Sequence, residues 1–240
     1  MYDTSRDPRY GGGGRAMPGA VRALLIANVA VFLGQSILKL WGPSAPLSEF
    51  QFVEIFGLVP ELTLLHGRVW QPITYLFLHG DLFHLLFNML WLWMFGVPLE
   101  RAWGTRRFVR YYFVCGVGAA ALTCVLAFSS RTIGASGALF GLMLAYGMMW
   151  PEQVLMIWGI IPMRAKTLVW VASAIQLYSL IFAGNEVNIA YGAHLGGMLV
   201  GYLMLGRTWH LREAFRSLRW RLRRRRFRVL RPRDPNYPFH

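Results

Sequence analysis

The sequence predicts an all-α, polytopic membrane protein with six transmembrane helices and a long outer loop between the first and second. Three observations carry this. Hydrophobic residues make up 55% of the 240-residue chain and charged residues only 15%, where a soluble domain carries about a quarter charged. The charges are segregated, leaving 82–99, 111–130 and 167–183 almost bare of them. The apolar residues also fall in runs near the length that crosses a bilayer, about 17–25 residues.

Taken in order, residues 1–18 are rich in Gly, Arg and Pro and are expected to form a disordered cytoplasmic arm. The first apolar run, 21–40, follows this polar arm. It lacks a small-residue cleavage site followed by a soluble domain, so it reads as a span rather than a cleaved leader. Residues 41–81 mix polar residues with Phe50, Phe52, Ile55, Phe56 and Leu64. A loop of that length usually carries structure of its own, and helical pieces partly embedded on the outer face are expected. Further spans are predicted at 82–100, 107–128, 134–150, 167–183 and 190–206. The run from Val154 to Ile161, ending at Pro162, is too short to cross and reads as an interfacial segment. The six-span domain thus covers 19–206, and an Arg-rich cytoplasmic tail covers 207–240.

Basic residues orient the bundle, because they concentrate on the cytoplasmic side. With the N-terminus inside, inner segments hold 22 of the 25 Lys and Arg residues, and outer segments hold only Lys39, Arg68 and Arg131. Counting Val154–Ile161 as a span would put the tail outside, against the rule. Both termini are therefore expected in the cytoplasm. The net charge of +14 does not point to nucleic acid, since twelve basic residues lie in 207–233, directly after the last span. A basic run there is expected to meet anionic lipid headgroups. Cys115 and Cys124 sit nine residues apart in one apolar run. On a helix rising about 1.5 Å per residue they are too far apart to bridge, so they read as packing residues.

Polar residues at membrane depth are costly and are candidates for function. Ser136 falls in the first turn of the fourth span, and His194 lies about one turn into the sixth. His84 opens the second span, with Asn88 one turn below on the same face. These spans all run from outside to inside, so the four residues share a depth near the outer side. Taken singly, each has an ordinary reading. A membrane serine bonds back to its own helix, an asparagine bonds a neighbouring helix, and Trp91 and Trp93 pack or face lipid. The histidines His79, His84 and His194 show no zinc-site spacing, and no metal is expected.

Together the residues match acyl transfer. A serine hydroxyl needs a base to take its proton, and His194 can supply one. The oxyanion that forms needs donors already aimed at it. His84, Asn88 and the unpaired backbone N–H groups at the Ser136 helix start can provide them. No carboxylate sits at matching depth, since Asp81 and Glu186 lie at the outer edge, so a Ser–His dyad is expected. Gly137, Gly141 and Ala145 in the fourth span and Gly197 and Gly201 in the sixth recur at intervals of four. Small residues so spaced let two membrane helices approach closely. A transporter would need polar residues along a whole pathway, whereas here they cluster at one end.

These residues resemble the motifs of the rhomboid family. Gly134-Ala135-Ser136-Gly137 looks like its GxSG motif, and Ala193-His194 through Gly197 and Gly201 looks like AHxxGxxxG. His84 to Asn88 resembles HxxxN, and Gly96, Glu100 and Gly104 fit GxxxExxxG. The likeness covers about 50–206. It implies a six-helix, bacterial-type core in an inner (plasma) membrane. It also implies a serine endopeptidase cleaving single-span membrane proteins at or near their transmembrane segment, with no cofactor. Ser136 would be nucleophile and His194 base, with His84, Asn88 and the Ser136 backbone as oxyanion hole. Glu100 would be structural, near the cytoplasmic end of the second span, and Phe140 would stack on His194 where the family often has tyrosine. Trp70-Gln71 stands where the family often has Trp-Arg, which should weaken any loop contact made by that Arg. The competing expectation is a catalytically silent relative that binds membrane clients.

Overall fold

The structure is a computed structural model that describes residues 16–41, 47–157, 159–182 and 190–206. The predicted arm and tail lie outside the described residues, apart from Ala16–Pro18, as do Glu186 and most of the segment before the last span. The described residues up to Leu203 form one compact unit, and the architecture below belongs to it.

Among the described residues, four helices are long and apolar enough to cross a membrane. They are α1 (Gly19–Trp41), α5 (Leu82–Trp103), α6 (Thr105–Leu126) and α8 (Ala165–Phe182). At about 1.5 Å per residue, 22 residues reach about 33 Å, enough for a hydrocarbon core about 30 Å thick. Two further helices are shorter. Helix α7 (Ser136–Met149) has 14 residues, and α9 covers 190–206. The outward surfaces of α1 and α8 are apolar, with Ile26, Leu33, Ile37, Trp170 and Phe182 all exposed, as lipid-facing helices require. The chain is a multi-pass integral membrane protein built mainly of helices.

The short helix α7 is the most enclosed. Ten of its 14 residues are buried, including Leu139, Leu142 and Met143. A helix too short to span alone is thus held inside the protein. Its first residue is Ser136, so this burial fixes the serine. Glycines set its distance from α6 and α9. A Cβ on Gly137 would lie 2.5 Å from the Ala119 Cβ, and a Cβ on Gly197 would overlap the Gly137 carbonyl.

Helix α5 contains a wider π turn at Leu92–Gly96, followed by Pro98. Proline has no N–H to give to the preceding turn and its ring crowds a carbonyl there; the π turn absorbs that break. Near the lower end of α5 the Glu100 carboxylate is buried. It accepts hydrogen bonds from the Ala20 and Val21 N–H groups (3.0 and 2.8 Å) and from the Thr105 hydroxyl (2.7 Å). One side chain thereby caps the start of α1 and ties it to the α5–α6 turn.

Between α1 and α5 lie α2 (Glu49–Phe56), α3 (Pro60–Leu65) and α4 (Gln71–Thr74), the last continuing as a 3₁₀ turn over Tyr75–Phe77. Helix α2 starts with a capping box between Ser48 and Gln51, and α3 with a proline, both ordinary helix starts. Gln71 is fully buried at their junction. Its Oε1 accepts from Val59 N and the Thr63 hydroxyl, and its Nε2 donates to the Glu54 carbonyl. Arg68 donates to the same carbonyl at 2.9 Å. Gln71 is therefore a hub of this segment, and a guanidinium three residues earlier reaches the same place.

The all-α expectation needs one correction. Strand β1 (Val154–Ile157) pairs antiparallel with β2 (Ile161–Arg164), in register Val154↔Arg164 to Ile157↔Ile161. The run is too short for a stable helix. Its β-branched residues favour extended backbone, and Gly159, at φ +70°, makes the reversal. Pro162 is tolerated because a two-stranded ribbon has free edges.

Candidate active site

The site forms where α5, α7, α8 and α9 converge. Gly134, at φ +117°, turns the chain into α7. Its own N–H donates to the Tyr75 carbonyl at 2.9 Å. A Cβ at this position would sit 2.6 Å from Nε2 of His84, so both the turn and the closeness of the imidazole exclude a side chain. Two residues later Ser136 begins the helix. The first N–H groups there have no carbonyl one turn earlier to pair with, and they face the serine's own end of the helix.

The Ser136 hydroxyl lies 2.8 Å from Nε2 of His194. That is hydrogen-bond distance, with the hydroxyl donating when Nε2 carries no proton. Phe140, one turn along α7, stacks on the His194 ring with centroids 4.2 Å apart and planes 18° apart. Trp91 packs against Phe140 in turn, at 5.3 Å. The imidazole is thus held by a hydrogen bond at one edge and an aromatic face on its plane.

Asn88 and Ser136 share a cavity of about 140 Å³ lined by Phe87, Asn88, Trp91, Ser136, Leu139 and Phe140. The Asn88 amide donates one N–H to the His84 carbonyl at 2.6 Å, which leaves its second N–H available. His84 Nδ1 accepts the Gly80 N–H at 3.4 Å, and its Nε2 lies on the Gly134 side. Asp81 caps the start of α5 by accepting from His84 N. All the predicted site residues therefore gather around the α7 start except Glu100 and Gly201. Glu100 serves α1 as described. Gly201 packs under the Tyr111 hydroxyl, where a Cβ would come to 2.5 Å.

His79 is buried beside the site, its ring edge-on to His84 at 5.0 Å. Its backbone exchanges hydrogen bonds with the Gln35 side chain. Burial first, and the neighbouring His84 second, push its pKa down to about 4, so it stays neutral.

One residue escaped the sequence reading. Gln176 of α8 is 8% exposed, and its Oε1 lies 2.7 Å from Nδ1 of His194. The available signal was an amide within an otherwise apolar span.

A serine hydroxyl at hydrogen-bond distance from a histidine, with an asparagine and a second histidine alongside, thus lies inside a bundle of apolar helices in an integral membrane protein. A family model for the rhomboid domain matches residues 66–210, and the chain belongs to the rhomboid family. It is 30% identical over 167 residues to RHOMBOID-like protein 5 of Arabidopsis thaliana, covering 69% of this chain and 50% of that protein. It is 28% identical to RHOMBOID-like protein 2 of the same plant, covering 77% and 64%. To Rhomboid-like protease 1 of Toxoplasma gondii it is 33% identical over 138 residues, covering 57% and 46%. These relatives are eukaryotic, and the chain spans about half to two thirds of their length.

Proposed function

We propose that the protein is an intramembrane serine endopeptidase that cleaves single-span membrane proteins at or near their transmembrane segment. The observation that carries this is the 2.8 Å approach of the Ser136 hydroxyl to the His194 imidazole. Membership of a family that includes a named protease supports it.

In this reading Ser136 Oγ attacks the scissile carbonyl carbon while its proton passes to His194 Nε2. The carbonyl oxygen becomes an oxyanion held by the backbone N–H groups at the start of α7, the free Asn88 N–H and His84 Nε2–H. The imidazolium then protonates the leaving amine, and an acyl-enzyme remains. Water, activated by the same imidazole, hydrolyses the ester and restores the serine. The serine stands at a helix end rather than mid-helix, near one face of the membrane, where water can arrive. The six helices would place this end outside and both termini inside. Substrate would enter from lipid between α5 and α8, with the cavity beside Phe87 receiving a small or medium apolar side chain.

The test is cleavage of a single-span substrate in liposomes by wild type, Ser136→Ala and His194→Ala. Wild type should cleave and both variants should not. Cleavage surviving Ser136→Ala, or absence of cleavage by wild type across several substrates, would contradict the proposal; the second result would favour a client-binding relative.

A further inference from the structure

Helix α8 has little reason to bury a polar group. Its buried residues are Ala165, Ala172 and Gln176, at intervals of seven and four, which is one stripe along a helix. Two of the three are alanines, as close packing between membrane helices asks. The third is a long primary amide. Leucine or methionine would fill that volume without bringing a polar group out of water. The amide instead reaches His194, with Oε1 2.7 Å from Nδ1.

The two nitrogens of His194 thus have different partners. A serine hydroxyl lies 2.8 Å from Nε2. A carbonyl oxygen can only accept, so the proton of neutral His194 must reside on Nδ1. That leaves the Nε2 lone pair facing Ser136, the tautomer required to take the hydroxyl proton. The opposite tautomer would set Nδ1 lone pair against amide oxygen lone pair and point an N–H at the nucleophile. In the well-known serine-protease triad a carboxylate selects the tautomer, and its loss there is severe because the wrong one results.

We infer that Gln176 is a positioning residue for His194, making the site a Ser136–His194–Gln176 relay in which a neutral amide replaces a carboxylate. The inference rests on the proposed peptidase activity. As Ser136 Oγ bonds to the carbonyl carbon, its proton moves to Nε2, while the Nδ1 proton stays on Nδ1. The positive charge is spread over the ring, and the Nδ1–H to Oε1 hydrogen bond strengthens because its donor is now charged. Gln176 acts through His194, the side chain its amide meets. A neutral partner suits this place, because a carboxylate here would be a buried charge whenever the imidazole is neutral.

The substitutions Gln176→Leu, Gln176→Met and Gln176→Glu separate positioning from packing. Leu and Met keep volume and apolar character but remove the acceptor. Glu keeps the acceptor and adds charge. If Gln176 only packs α8 against α9, Leu and Met should be tolerated and Glu should be the damaging change. The positioning role gives the reverse order. Leu and Met should lower kcat roughly 10- to 100-fold with KM within about twofold, and Glu should retain more kcat than either. Met stands in should the Leu variant fail to fold, with thermal unfolding in detergent as the check on folding. Near-wild-type kcat in the Leu or Met variant, or Glu falling below both, would overturn the inference. Ser136→Ala measured alongside separates the two claims. If wild type cleaves and Ser136→Ala does not while Gln176→Leu is fully active, the dyad stands and Gln176 falls. If Ser136→Ala also cleaves, the underlying peptidase assignment has failed.

Discussion

Ser136 and His194 lie 58 positions apart and on different helices, yet their reactive atoms stand 2.8 Å from each other. A serine is ordinary in a membrane helix and a histidine is uncommon there; the informative feature was their common depth, which follows from span direction and position alone. The same reasoning put Asn88 at that depth, and it lines one cavity with Ser136; its proposed role is that of an oxyanion donor. Asn88→Ala should lower kcat by about 100-fold or more, the usual cost of one such donor, with unfolding temperature nearly unchanged. A loss of stability matching the loss of activity would instead mark Asn88 as a packing residue. Gln176 shows where depth stops being enough. An amide in an apolar span has many possible partners, and only the rotation of α8 about its axis, set by packing, selects His194.

At the scale of elements, the helices long enough to span were legible because about twenty apolar residues in a row have few alternatives. The hairpin at Val154–Ile157 and Ile161–Arg164 was not. A short apolar run is equally compatible with strand and helix, and the reversal depended on one glycine conformation. Glu100 was legible as structural, but its work was not: its partners are the backbone of a helix about eighty residues earlier. Glu100→Ala should leave the Ala20 and Val21 N–H groups buried without an acceptor. Roughly 2–4 kcal/mol of stability should be lost, read from denaturant unfolding in detergent, and Ser136 should remain reactive in whatever fraction stays folded. An unchanged unfolding midpoint would mean that α1 is held by other contacts.

Across the whole molecule, the proposed function depends on burying one short helix. Helix α7 does not need to face lipid on all sides, so it can start at Ser136 inside the bundle, and a helix start leaves its first N–H groups unpaired within the helix. The surrounding longer helices supply the hydrophobic exterior. The proposed orientation makes a separate prediction. A reporter fused after the Arg-rich tail should be active only when cytoplasmic, and one inserted in the segment between α1 and α2 only when outside. Signals on the reverse sides would put the serine at the inner face and undo the orientation. The same tail is proposed to rest on anionic headgroups, an attraction that salt should weaken.

The central claim is that Ser136 is a nucleophile because His194 removes its proton. Its most direct test needs no substrate: reaction of the purified protein in detergent with a fluorophosphonate, followed by mass spectrometry. A single adduct on Ser136 is expected, absent in Ser136→Ala and formed much more slowly in His194→Ala. An adduct on another residue, or labelling of Ser136 at an unchanged rate without His194, would contradict it.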